Sequence, residues 1–144
     1  MKIPTLVITT AICLLLAGFA QAANRDNKNG TIADDAHGIF CLKNVNCLGW
    51  SGWWTAETKV AGLQSGMCGL SDKSTAGQWR LPTPKELASR AVDTSGFSQI
   101  IPGLYWTSLS MGETDAYVVL FPSGDLRDYQ TGNGDGYIWP VRNK

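Results

Sequence analysis

The stretch Trp79-Arg80-Leu81-Pro82-Thr83-Pro84-Lys85-Glu86-Leu87 decides how the middle of this chain folds. Pro82 restricts Leu81 to extended conformations, so an extended segment leads into the motif. Thr83 then accepts from the backbone N–H of Glu86, while the Glu86 carboxylate reaches back to the N–H of Thr83. That is a capping box, and Pro84 occupies the first helical position, where no N–H is needed. The pattern predicts a helix from Pro84 to about Val92 that buries Leu87, Ala88 and Ala91. The corner is read as scaffold, with no chemistry of its own.

Upstream, residues 1–22 read as a signal peptide. Lys2 supplies the positive start, residues 6–19 the apolar run, and Ala20-Gln21-Ala22 the small-x-small cleavage site. The run is shorter than the roughly 20 apolar residues that span a bilayer, so no transmembrane segment is expected after cleavage. The whole chain has 12 bases and 12 acids; losing Lys2 leaves 11 bases, a net charge of −1. That balance argues against salt-driven attraction to nucleic acid. The remaining length suits one domain. All six Trp (50, 53, 54, 79, 106 and 139) survive cleavage, and most are expected in the core of so small a domain.

Residues 23–28 are polar and read as a frayed start. Asn29-Gly30 is a turn dipeptide, and residues 31–32 and 38–42 read as short strands around the acidic bend at Asp34-Asp35. Trp53, Ala56, Val60 and Leu63 recur at helical spacing, with Gly66 as the expected stop. Residues 69–78 form a polar loop. Beyond Asp93 the period becomes extended: strands are expected at residues 104–108, 115–121 and 126–130. Pro122-Ser123-Gly124-Asp125 turns the second into the third, and residues 137–142 make the last strand. Two helices followed by a strand-rich half predict an α+β domain with a mostly antiparallel sheet.

The motifs taken together resemble one family. Trp79-Arg80-Leu81-Pro82-Thr83 with Glu86-Leu87, then Tyr105-Trp106-Thr107-Ser108 and a closing Val141-Arg142, are similar to the Lcl C-terminal domain family. That family is named for the tail domain of a bacterial collagen-like adhesin. Asn29-Gly30-Thr31, Gly38-Ile39, residues 42–47 and residues 66–72 continue the likeness in the same order, so it covers nearly the whole chain after residue 22. The resemblance implies a C-type-lectin-like domain, two helices packed on a mostly antiparallel sheet, exported to the periplasm or secreted, and attached to binding or surface roles. Cys41, Cys47 and Cys68 remain after cleavage, in an oxidising compartment. The family pattern has cysteines at the positions of Cys47 and Cys68 and a Trp at that of Cys41, so it implies a Cys47–Cys68 bridge. Such a bridge closes a loop of about 21 residues and is worth roughly 3 kcal/mol. Cys41–Cys47 is the rival pairing.

Candidate sites gather in the second half. Asp125, Arg127, Asp128, Tyr129 and Tyr137 bring charge and aromatic surface near the loop Asn133-Gly134-Asp135-Gly136. Sugars are held by stacking on an aromatic face with hydrogen bonds from carboxylate, amide or guanidinium groups. Asp125, Tyr129, Asn133, Asp135 and Tyr137 are therefore the candidate ligand-binding residues; a solvated hairpin face is the structural alternative. The loop lacks the acids of an EF-hand, with Thr131 at the first position and Asn143 at the twelfth, and reads as a turn. Three cysteines and the lone His37 show no zinc spacing, and no other cofactor is expected. His37 is an unpromising base for a Ser–His–acid triad, and no pair of carboxylates is brought together as glycosidase work needs. The Arg80-Leu81-Pro82-Thr83 corner is also similar to one in formylglycine-generating enzymes. Those oxidases use a late cysteine pair, whereas this chain has no cysteine after Cys68. Arg80 and Arg142 are suited to pairing with acids inside the fold.

The reading is then a signal peptide (1–22), a polar segment and turn (23–36) and a domain resembling Lcl C-terminal domains (37–144). Its expected role is non-catalytic binding or adhesion, with a glycan or a cell-envelope protein as partner. The alternatives are a structural part of an envelope assembly and a glycan hydrolase.

Overall fold

Nine strands and two helices make up the described part of the chain, which in this computed structural model comprises residues 24–131 and 134–144. The segment 1–22, expected to be a signal peptide, and the candidate Asn133 lie outside the described residues.

The strands form two sheets where the sequence suggested one. The first takes the order β1-β2-β3-β9, from β1 (Arg25–Asp26), β2 (Thr31–Asp34), β3 (Ile39–Leu42) and β9 (Val141–Asn143), all antiparallel. The second takes the order β4-β8-β5-β6-β7, from β4 (Trp50–Ser51), β8 (Gly136–Tyr137), β5 (Gly103–Met111), β6 (Asp115–Phe121) and β7 (Leu126–Gln130). Its one parallel contact is Tyr105 beside Tyr137. The fold is α+β.

The larger sheet lies between the two helices. Along β6, Ala116 and Val118 join the cluster with Trp53, Ala56 and Val60 of α1 (Trp53–Ala61) and with Trp106. Val119 and Phe121 turn the other way, toward Leu87 of α2 (Pro84–Val92), Tyr105 and Trp139. Alternate residues of a strand face opposite sides, so a strand covered on both sides reads as a continuous apolar run, as residues 116–121 do.

The capping box forms as predicted: the Glu86 N–H donates to Thr83 Oγ1 at 3.2 Å, and the Thr83 N–H donates to Glu86 Oε2 at 2.8 Å. The buried face of α2 differs from expectation. Glu86, Leu87 and Arg90 are buried, while Ala88 and Ala91 are half-buried. The polar pair is tolerated because each has an ionic partner. Arg80 clamps Glu86 with Nη1 and Nη2 at 2.8 and 2.9 Å, and Arg90 pairs with buried Asp34. Arg142 pairs with Asp72 at 3.0 Å and stacks over the ring of Phe40, so both arginines at the motif ends are structural.

Three expectations are corrected by tertiary contacts. Helix α1 ends at Ala61, with Gly62 as its C-cap; Gly66, at φ +93°, instead serves the following turn. The polar residues 25–26 are a paired strand, and the Asn24 side chain ties that end to α2 by donating to the Asp93 carbonyl and accepting from Arg90. The single last strand is two. Between β8 and β9 the chain crosses from one sheet to the other through buried Ile138, Trp139 and Pro140, and Pro140 has no N–H to continue a ladder.

The Cys47–Cys68 disulfide is present and Cys41 is a free, buried thiol. Four of the six Trp are buried, but Trp50 and Trp54 are 63% and 57% exposed.

Candidate functional site

The charges of the fold separate into used and unused. Asp26, Asp34, Asp35, Asp72 and Glu86 each sit in an ion pair with a base of the chain. Residues 113–135 hold five acids, Glu113, Asp115, Asp125, Asp128 and Asp135, and one base, Arg127. Among the described residues none of those five acids is in an ion pair. Carboxylates that do not hold the fold together leave their field in the solvent, where it acts on whatever approaches.

Two of the concavities among the described residues bear on function. One, of about 380 Å³, is lined by Asp26, Lys28, Lys43, Asn44, Gly69 and Ser98 among others. Its charges neutralise one another: Lys43 and Lys28 reach Asp26 at 2.7 and 3.4 Å. Lys43, with Lys28, holds the Asp26 carboxyl down at about 2. The other, of about 510 Å³, is lined by Asp115, Asp128, Tyr129, Gln130 and Gly134. Among the described residues its carboxylates stand in no ion pair, and it lies at the outer edge of the larger sheet.

The hairpin builds this second concavity. β6 and β7 pair without interruption, with Asp115 opposite Gln130, Ala116 opposite Tyr129 and Tyr117 opposite Asp128. Directly opposed residues share a face, so Asp115, Asp128 and Gln130 stand together on one side and Arg127 and Tyr129 on the other. The Tyr129 ring packs on Trp106, with centroids 5.6 Å apart. Gly134 lies directly against it: a Cβ there would come within 2.1 Å of Tyr129 Cε1. Glycine at 134 is thus what allows the loop to close over the ring.

The four described candidates from the sequence, Asp125, Tyr129, Asp135 and Tyr137, are not all brought together. Tyr129 lines the concavity, and exposed Asp135 follows Gly134 at its rim. Asp125 is at the far end of the hairpin, roughly 13 Å along the strand from Tyr129. Tyr137 stands across the sheet, its ring 5.4 Å from that of Tyr105 and 6.5 Å from that of Trp50. Tyr105 belongs to the cluster under α2 and Tyr129 packs against the cluster under α1, so the two tyrosines occupy opposite faces. Asp115 and Gln130 are the residues the sequence reading missed. The turn at residues 122–125 fixes which residues of β6 and β7 stand opposite, and extending that register would have placed Asp115 beside Gln130.

Groups with reactive potential elsewhere are engaged. His37 Nδ1 lies 2.6 Å from Asp34 Oδ2 beside the first sheet. Cys41 is fully buried, and burial pushes its thiol up to about 12. Glu57 of α1 is half-buried, and burial raises its carboxyl above the ordinary range.

The motif order that suggested a family is matched by the Lcl C-terminal domain family model over residues 30–142. The chain belongs to the Lcl C-terminal domain family. No curated protein matches it significantly. Both sheets and both helices of this Lcl domain fall almost wholly inside the matched region; β1 precedes it. Family membership and the Cys47–Cys68 bridge point to an exported domain. No helix of the described residues is long and apolar enough to cross a membrane.

Proposed function

We propose that this Lcl domain is an exported, non-catalytic binding or adhesion domain whose ligand is a glycan or a cell-envelope protein. One observation carries the reading: the concavity at the outer end of the larger sheet is lined by Tyr129, Gln130 and two carboxylates, Asp115 and Asp128, that stand in no ion pair among the described residues. An aromatic residue held in place by packing, with adaptable polar groups around the same concavity, is the composition of a recognition surface. The engagement of His37 by Asp34 and the burial of Cys41 support a role without turnover, since both groups are committed to the fold.

Exposed Trp50 and Trp54 favour a second reading, a structural role in an envelope assembly, because large exposed aromatics commonly anchor protein contacts. A glycan array and a pull-down from envelope extract separate the two, each run with the residue 23–144 protein and with Tyr129→Ala. Loss of the captured ligand in Tyr129→Ala is expected. Release of soluble product from cell-wall glycans by the purified protein would instead make it a hydrolase.

A further inference from the structure

Among the described residues β7 is the last strand of its sheet, and no described strand lies along its outer edge. In the antiparallel β6–β7 ladder, Thr131 N–H donates to the Thr114 carbonyl and Leu120 N–H to the Asp125 carbonyl. Hydrogen-bonding groups alternate along such a strand, so odd-numbered residues of β7 turn their backbone toward β6. Leu126 and Asp128 therefore direct their N–H and C=O groups outward, and both residues are exposed. Natural edge strands are commonly blunted by proline, a bulge or charged side chains, lysine above all. β7 has no proline, lysine or bulge, and its register with β6 is unbroken; its charges are Arg127 and Asp128, of opposite sign, so an acid rather than a lysine stands beside the outward groups.

Resting on the binding-domain reading above, we propose that β7 receives an extended, lysine- or arginine-rich segment of another protein as an added strand. The Asp115–Asp128 concavity would take one of its cationic side chains. Strand addition draws affinity from main-chain hydrogen bonds and selectivity from a pocket beside the edge. Both parts are adjacent here, because Asp128 supplies outward backbone groups and also lines the concavity. The charge of the region fixes the sign of the partner: the five acids of residues 113–135 are unpaired among the described residues, and the one base, Arg127, faces the other side of the sheet. A second copy of the chain is a poorer partner. Two-fold pairing centred on the outward groups of Asp128 would set Asp128 against Asp128, and like charges directly opposed are unfavourable.

The test uses the residue 23–144 protein and fluorescent peptides of about ten residues that alternate lysine with threonine or valine, long enough for one strand. Controls replace lysine by glutamate, or keep lysine and N-methylate alternate amides. Binding is read by fluorescence anisotropy. The lysine peptide should bind at least about tenfold more tightly than the glutamate peptide, and weaken as salt rises. N-methylation should abolish binding, because charge is kept while the ladder is lost. Asp128→Lys should weaken binding by about tenfold or more, and Asp125→Lys, with the same change in net charge at the far end of the hairpin, by much less. Equal binding of the N-methylated peptide, or equal effects of the two substitutions, would overturn strand addition. So would self-association in sedimentation that Asp128→Lys alters, which would make a second copy the occupant. If no peptide binds but an arrayed glycan does, and Tyr129→Ala abolishes it, strand addition fails and the binding-domain reading stands. If glycan, envelope extract and peptide all fail, both fail.

Discussion

Glu86 offers the sharpest test of how the corner holds the domain. Its carboxylate accepts from Arg80 Nη1 and Nη2 at 2.8 and 2.9 Å and from the Thr83 N–H at 2.8 Å, with its side chain 11% exposed and that of Arg80 34%. A hydrogen bond to a charged group contributes about 1.5–3 kcal/mol net, so three sum to several kcal/mol at face value. Arg80 keeps access to water once stranded, which returns part of its share. On that reasoning Glu86→Ala should cost about 3–4 kcal/mol, and Glu86→Gln, which keeps one acceptor, about 1–2 kcal/mol. Thr83→Ala removes only the other half of the box and should cost about 1 kcal/mol. Urea unfolding monitored by tryptophan fluorescence gives all three. A double-mutant cycle with Arg80→Met should return a coupling of about 1–2 kcal/mol. The acid dependence supplies the sign. Burial raises the Glu86 carboxyl, but Arg80 and Thr83 outweigh it and hold it below the ordinary range. A depressed carboxyl stabilises above its unfolded pKa and ceases to do so as pH falls through its folded value. The gap between wild type and Glu86→Gln should therefore close on acidification. A cost under about 0.5 kcal/mol for Glu86→Gln with zero coupling would refute the reasoning and make the clamp a surface pair of no consequence.

Gly30→Ala should destabilise by about 2–4 kcal/mol in the same unfolding assay. A Cβ there, at φ +86°, meets the Gly69 carbonyl oxygen at 2.4 Å, and that backbone is tethered through the neighbouring Cys68 disulfide. Cys41 should not react with a thiol reagent at pH 8 until the protein is denatured, because burial both hides the thiol and raises it to about 12; native labelling would contradict its position. Glu57→Gln should raise the unfolding midpoint at pH 7 and leave it unchanged at pH 3. Its carboxyl is raised by burial, so it weakens the fold once pH has climbed past its ordinary value. Lys43 holds Asp26 at about 2 and Lys144 lowers Asp35. Stability from the Asp26 pair should persist down to about pH 4 and fall from there toward pH 2, and that from the Asp35 pair should likewise be lost on acidification, as a pH series of urea melts would register.

What the sequence determined by itself was local. Thr83, Pro84 and Glu86 lie within one helical turn, so the start of α2 follows from groups that cannot avoid meeting. The same holds for the β6–β7 hairpin, whose bounds match expectation because four turn residues bring its strands together. Even the Cys47–Cys68 bridge was legible, though through family pattern rather than spacing. Only tertiary structure decided which sheet each half of residues 136–143 joins, since periodicity describes alternation along a strand and says nothing of its neighbour. It also decided that Trp50 and Trp54 face water while four similar side chains are buried. The candidate site divides the same way. Its region and Tyr129 could be read from composition, but the separation of Tyr129 from Tyr137 could not. One residue packs toward α1 and the other toward α2, and a sheet keeps its two faces apart however close their strands run in sequence.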